Sequence, residues 1–322
     1  MGQEDKKKVL FIGPIFYDYH TLIKEKIENF NSEVHFYPEK KYGLLFGILN
    51  TLHAYFIVLS QKIHYLGILR AIKNEKYTHL FVVRGEKMPI FAIKKIKEMN
   101  PGIRTFLYQW DSNKNNSYFH LVPYFDQVFT FDFKDYNENK SLKFLQLFYT
   151  DDIKKISDET NAEKYDYFLF FSFTISRYND MLRFKKFCEE NSHSFKLFCF
   201  IPKSTFLKFK YLKRIHLDET LISFDPMPRE EYLQCLRDSK VVVDFSHSTQ
   251  TGLAMRIIES YGAGKKVLTS NTSMRENPIY SSKWVQIVNI TDIQEPVFGN
   301  GSTIRSNREL YIDNWIETVF EQ

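Results

Sequence analysis

Short apolar runs alternate with helical periodicity through the first 150 residues. The run 8–13 (KVLFIG) ends at Gly-Pro, and 21–30 (TLIKEKIENF) spaces its apolar positions as a helix does, so the chain opens strand, loop, helix. Residues 33–37 (EVHFY) predict a second strand and 44–74 a long helical region. The strand 79–85 (HLFVVRG), the helix 89–100 (PIFAIKKIKEMN) and the strands 104–111 (RTFLYQWD) and 127–132 (QVFTFD) follow. Continuous apolar strands separated by helices are the mark of a parallel sheet covered on both faces.

Between 148 and 164 (FYTDDIKKISDETNAEK) the periodicity gives way to charge, which predicts a linker at 151–164. A second alternation then starts: strand 166–173 (DYFLFFSF), helix 178–191, strand 195–201 (FKLFCFI) and strand 221–226 (LISFDP). Pro228 begins a helix with Glu230 and Glu231 in its first turn, where they complement the helix dipole. Strands 240–245 (KVVVDF) and 266–270 (KVLTS) enclose a helix at 255–261. The pattern predicts an α/β chain of two domains, 1–150 and 165–304, and a C-terminal helix at 305–322 that packs back on either.

With 322 residues, 43% hydrophobic and 26% charged, the chain has room for two cores and is not disordered. Its 44 Lys and Arg against 39 Asp and Glu leave a net +5, with mixed signs throughout and one compact basic run at 6–8. Nucleic acid is therefore not an expected partner. Cys188, Cys199 and Cys235 lie far apart with no CxxC pair, as reduced thiols of a cytosolic protein do. The polar stretch 1–8 and the four apolar residues after it do not make a signal peptide, so export is not expected. Residues 44–60 (LLFGILNTLHAYFIVLS) are shorter than the roughly 20 apolar residues of a span. They read either as a buried or half-buried helix or, flanked by Lys40, Lys41 and Lys62, as a helix resting on a bilayer.

The richest stretch chemically is 240–271 (KVVVDFSHSTQTGLAMRIIESYGAGKKVLTSN). A strand ends in a Ser/His/Thr loop containing His247, and Thr251 and Gly252 open a helix that stops at Gly262 and Gly264. Unpaired amides at such a helix start hold phosphate, Gly252 lets the backbone approach, and Arg256 adds a charge-assisted contact. The plain alternative is an ordinary crossover with a solvated Arg256 and a loop histidine.

This run resembles the nucleotide-sugar half of GT-B glycosyltransferases, and more narrowly the bacterial polysaccharide and lipopolysaccharide glycosyltransferases related to spore-maturation CgeB proteins. Residues 170–184 (FFSFTISRYNDMLRF), 224–246 (FDPMPREEYLQCLRDSKVVVDFS), 8–20 (KVLFIGPIFYDYH), 106–112 (FLYQWDS) and 125–136 (FDQVFTFDFKDY) extend the resemblance to most of the chain. It implies two Rossmann-like domains facing a cleft, an acceptor domain first and a nucleotide-sugar domain second. In that arrangement Glu259 binds the ribose hydroxyls, and Thr251, Gly252 and His247 lie by the diphosphate and sugar. Arg177 contacts the diphosphate, and Pro226 and Met227 meet the base. The implied partners are a nucleotide-sugar donor and a lipid-linked or oligosaccharide acceptor such as lipopolysaccharide or capsule. The implied setting is cytoplasmic, with peripheral contact at the inner membrane face and no cofactor.

Two positions depart from the family pattern. Thr251 stands where many retaining enzymes carry a first Glu, and Ser172 stands in a loop that usually holds a glycine. The stereochemical course is thus left open. A base for the acceptor hydroxyl is expected in the loops after the N-terminal strands. Asp18 and His20, Arg84 and Glu86, and Asp111 all qualify. Asp111 ends an apolar strand beside Trp110, where desolvation raises a carboxyl pKa, and it is preferred; its alternative is to cap the next segment by accepting from its backbone N–H groups. No HExxH, DxD, Walker A or GxGxxG pattern occurs, and the adjacent Asp151 and Asp152 read as solvated, so a metal-independent reaction is expected. A nucleotide-sugar epimerase and a non-catalytic glycan-binding or assembly subunit are the competing readings.

Overall fold

The computed structural model describes residues 6–41, 54–159, 162–246, 251–299 and 308–321. The chain divides into two compact units, Met1–Gln146 with Ile312–Gln322, and Leu147–Tyr311.

The first unit carries strands β1 (Lys7–Gly13), β2 (Ser32–Pro38), β3 (His79–Val83), β4 (Arg104–Gln109), β5 (Gln127–Thr130) and β6 (Lys143–Phe144). Its helices are α1 (Tyr19–Asn29), α2 (Ala54–Ala71), α3 (Ile90–Met99) and α4 (Phe133–Glu138). The strands pair in parallel in the order β2-β1-β3-β4-β5-β6, with Val9 opposite both Val34 and His79. Every residue of β3 is buried, as the unbroken apolar run HLFVV requires of a strand covered on both faces. Tyr65 and Ile68 of α2 and Ile93 and Ile96 of α3 close one face over Leu10, Leu80 and Leu107. The described part of α2 is half-buried, with Val58, Leu59, Ile63 and Leu66 exposed on its outer side. No described helix is long and apolar enough to cross a membrane.

The second unit carries β7 (Tyr165–Ser172), β8 (Phe195–Phe200), β9 (Ile222–Ser223), β10 (Ser239–Asp244), β11 (Lys266–Thr269) and β12 (Val285–Ile287). Its helices are α5 (Asp151–Asp158), α6 (Ile175–Glu190), α7 (Lys203–Leu207), α8 (Arg229–Arg237) and α9 (Met255–Gly262). The parallel order is β12-β11-β10-β7-β8-β9, which places the first strand of this unit beside its fourth. Helix α8 is preceded by Pro228 and has Glu230 and Glu231 in its first turn, as the sequence predicts.

Two expectations change, and a third that was open between two outcomes takes one of them. The segment 151–164 is not a plain linker: α5 buries Ile153 and Ile156, and its charges are the outer face of an amphipathic turn. Asp151 and Asp152 are not simply solvated. Asp152 accepts from Arg229 Nε at 2.9 Å, and Asp151 accepts from the Tyr311 hydroxyl. Burial raises the Asp152 carboxyl, and Arg229 outweighs it to leave the pKa below the usual value. The C-terminal helix, described as α10 (Ile312–Phe320), belongs to the first unit, where Trp315 meets the rings of Phe81 and Tyr108 and Phe320 those of Phe81 and Phe106. The chain passes from the first compact unit to the second at Leu147 and returns at Ile312.

Candidate functional site

In an open parallel sheet, ligands bind beyond the carboxyl ends of the strands where the strand order reverses. In the second unit that point lies between β7 and β10, and two arginines flank it. Arg177 sits in the first turn of α6, whose start is capped by Thr174 accepting from the Arg177 amide at 3.3 Å. That cap satisfies one of the amides left open at the start of α6. Arg177 Nε donates to the Phe245 carbonyl at 2.9 Å, across the reversal. Arg256 lies in the first turn of α9 and pairs with Asp244, the last residue of β10.

Asp244 is 0% exposed and also accepts from Ser246 Oγ at 2.8 Å and Thr269 Oγ1 at 3.0 Å. Burial, with Arg256 adding its repulsion, lowers the Arg177 pKa to about 10, and Asp244 partly offsets both. Two guanidinium groups around one carboxylate leave an uncompensated positive charge. The N-terminus of α9, where the Ile257 amide turns back to the Ala254 carbonyl at 2.9 Å, adds the positive end of its dipole to it. The complement of such a place is an anion with several oxygens, such as a phosphate pair.

The other predicted donor residues are placed as follows. Helix α9 begins at Met255 with Ala254 as its N-cap, so Thr251 and Gly252 precede the helix instead of opening it. Gly252 is buried and Thr251 half-buried. Pro226 is exposed and Met227 buried in the turn before α8. His247 lies outside the described residues. Glu259 is 3% exposed, and its two oxygens accept from Arg229 Nη1 and the Tyr232 hydroxyl, each at 2.7 Å. It shares the inward side of α9 with Ile258 and ties that helix to α8, which differs from the open carboxylate that the resemblance implies.

The first unit gathers its own polar cluster at the carboxyl ends of β2, β3 and β4. Glu39, fully buried just after β2, accepts from Arg84 Nε at 2.8 Å and from the Glu86 amide at 2.9 Å. Lys40 Nζ donates to Glu86 at 2.7 Å. Burial works against the Arg84 charge, but Glu39 and Glu86 overcome it and raise its pKa. Arg84 holds a left-handed φ of 65°, and Gln109 and Asn116 both donate to its carbonyl, at 2.9 and 3.1 Å. A non-glycine residue kept there by this many partners is backbone strain of the kind found at functional loops.

Asp111 stands beside this cluster. Burial lifts its carboxyl to about 6, with Arg84 pulling the other way. In the segment that follows it, other groups take the backbone amides: that of Asn113 donates to Asp135, and those of Tyr118 and Phe119 donate to the Asn113 side chain. Next to Asp111, the Trp110 ring meets Tyr19 edge-on at 5.5 Å and Phe16 at 6.4 Å. Asp18 is exposed at the start of α1, and His20 lies in the first turn of α1 with its ring 5.0 Å from that of Phe36. Glu39 and Asp244 were not singled out from sequence. Asp244 ends a strand and Glu39 directly follows one, and that position at a carboxyl edge was the available signal.

No family model and no curated protein matches the sequence. Solved structures do resemble it across both units. An alpha-glucosyltransferase in complex with UDP and a 13-mer DNA containing a central A:G mismatch is 14% identical, with a TM-score of 0.53 over 98% of this chain and 88% of that one. A glycosyltransferase from Rickettsia africae ESF-5 is 11% identical, at 0.53 over 88% of this chain and 84% of that one. A UDP-GlcNAc 2-epimerase from Neisseria meningitidis bound to UDP-GlcNAc is 10% identical, at 0.53 over 98% of each chain. At such identities the likeness speaks for architecture alone: this chain has the two-domain GT-B Rossmann-like fold.

Proposed function

We propose that this chain transfers a sugar from a nucleotide-sugar donor to a glycan acceptor. The observation that carries the reading is the meeting of two arginines where the strand order of the second unit reverses, Arg256 paired with Asp244 and Arg177 bonded to the carbonyl of the next residue, Phe245. In this reading the two arginines and the N-terminus of α9 hold the donor diphosphate and take up the charge it gains on leaving. Thr251 and Gly252 border it, and Pro226 and Met227 border the base. Glu259, fixed by Arg229 and Tyr232, offers a ribose only the lone pairs those two donors leave.

Asp111 is proposed as the base, ahead of Asp18 and His20, because its setting lifts the carboxyl to about 6. It takes the proton of the acceptor hydroxyl as that oxygen bonds to the anomeric carbon. The bond from the anomeric carbon to the phosphate oxygen breaks, and the diphosphate leaves with the electron pair. Direct displacement inverts the anomeric centre. The exposed Phe16 ring, backed by the half-buried Trp110 and the buried Tyr19, suits the C–H face of a pyranose acceptor, whose positive hydrogens lie against a negative ring face.

The test is a panel of nucleotide sugars offered with and without simple glycoside acceptors, followed by release of the free nucleotide and by product NMR. Transfer, or slow hydrolysis that Arg256→Ala removes, supports the reading. Nucleotide binding with no turnover of any donor refutes it in favour of a binding subunit. The epimerase reading draws equal support from the fold of the Neisseria meningitidis protein. It predicts a donor altered at a sugar carbon with its nucleotide still attached.

A further inference from the structure

The second unit presents an exposed segment that the donor site does not use. Between β8 and β9 the chain runs 203–214 (KSTFLKFKYLKR), through α7 and then a π-helical turn, Lys208–Leu212. Its inner side is anchored: Phe206 is buried with its ring 5.1 Å from Phe224, and Phe209 meets Phe173 edge-on at 5.0 Å. Its outer side is apolar. Leu207 is 41% exposed, Tyr211 67% and Leu212 78%. The wider i→i+5 turn explains why these three stand together, because residues i+4 and i+5 then straddle residue i on one face.

Five cations, Lys203, Lys208, Lys210, Lys213 and Arg214, are all exposed around this patch, and the twelve residues hold no Asp or Glu. One of the five, Lys210, pairs with Glu219 at 2.9 Å and lies over the Phe206 ring. A folded protein leaves neighbouring leucine and tyrosine side chains in water at a cost, and surrounding them with unpaired positive charge repeats the make-up of a segment that lies in a lipid interface. The charge complement is an anionic surface, and the exposed leucines select a bilayer over a nucleic acid, whose phosphates offer nothing to an alkyl group.

We propose that residues 203–214 dock this protein on an anionic phospholipid surface, with Leu207, Tyr211 and Leu212 entering the acyl boundary and the lysines and Arg214 lying among the headgroups. The segment follows β8 at the same carboxyl edge of the sheet as Arg177, so docking leaves the donor residues of this unit near the lipid. The inference goes beyond sugar transfer and stands or falls without it.

The test is co-sedimentation of the full chain with vesicles of phosphatidylcholine alone or mixed with phosphatidylglycerol. The expected result is binding to the mixed vesicles only, weakening as salt rises. Replacing Lys208, Lys213 and Arg214 by Gln should weaken it on the order of a hundredfold. Tyr211→Ser with Leu212→Ser should weaken it at unchanged salt dependence. Thermal unfolding serves as the control for fold, since every substituted side chain is exposed. The proposal is overturned if the wild type ignores phosphatidylglycerol, or if these variants bind as it does. It is also overturned if Ile63→Ser with Leu66→Ser on α2 removes the binding instead, or if single-stranded RNA binds through the cations with no dependence on Leu212.

Discussion

Removing Arg256 separates what the second unit's charge cluster does for the fold from what it does for a ligand. Asp244 is 0% exposed and the Arg256 side chain 14%. Arg256→Ala therefore leaves a buried carboxylate held by Ser246 and Thr269 hydroxyls, with Arg177 nearby but bonded elsewhere. Breaking such a pair costs about 3–5 kcal/mol, and the two remaining hydroxyl donors place the expected loss near 3 kcal/mol. Adding Asp244→Asn removes the stranded charge and should recover roughly 1–2 kcal/mol of it. Affinity for a nucleoside diphosphate should behave differently. One charge-assisted contact is worth about 1.5–3 kcal/mol, so Arg256→Ala should weaken binding roughly ten- to a hundredfold, and Asp244→Asn should not restore it. Urea unfolding and calorimetric titration of wild type, both single variants and the double variant read the two quantities. Affinity that returns together with stability would reduce Arg256 to a structural residue and refute the reasoning.

Three further outcomes follow from the same geometry. Asp111→Asn should lower kcat by about 10²–10⁴, and wild-type activity should fall as pH drops through about 6, because the base must be deprotonated; stability at neutral pH should not fall, since burial disfavours the charge being removed. Burial, with Lys7 and Arg104 adding to it, holds the buried His79 at a pKa of about 4, whereas unfolded His titrates near 6.5. Between those values only the unfolded chain takes up the proton, so stability falls as pH falls, by about 3 kcal/mol across the window, and His79→Phe should flatten that slope in acid unfolding. Gly262→Ala should cost roughly 1–3 kcal/mol or more, read as a fall in Tm, because a Cβ there would fall inside the buried Tyr149 ring.

The sheets were legible because their central strands are continuous apolar runs that burial on both faces demands. β1, β3, β4, β7, β8, β10 and β11 stand within about two residues of their expected positions. The edge strands β6 and β12 went unread, since two or three residues at a rim, among them Lys143 and Gln286, need no apolar pattern. The charge run at 151–158 hid a helix whose burial rests on two isoleucines spaced three apart. Among candidate site residues, Arg177 stands at a helix start as its sequence suggests, whereas Arg256, expected one turn into a helix opened at Thr251, lies in the first turn of α9. Glu39 was not legible, because YPEKK reads as a solvated turn until the fold brings Arg84 against it. The onset of α9 was misjudged by the Thr-Gly signal, whereas Ala254 caps it without a side-chain acceptor. Likewise Glu259 sits where the resemblance places the ribose carboxylate, and only the packing of Arg229 and Tyr232 reveals that each of its oxygens already has a donor.

The central claim is that Arg177 and Arg256 grip a diphosphate. Calorimetric titration of UDP, GDP and dTDP into the wild type, Arg177→Ala with Arg256→Ala, and Asp111→Asn tests it most directly. The account predicts that one of these nucleotides binds, that the double arginine variant loses the binding by a hundredfold or more, and that Asp111→Asn binds as the wild type does. A wild type that takes up none of them, or a double arginine variant that binds unchanged, would contradict it.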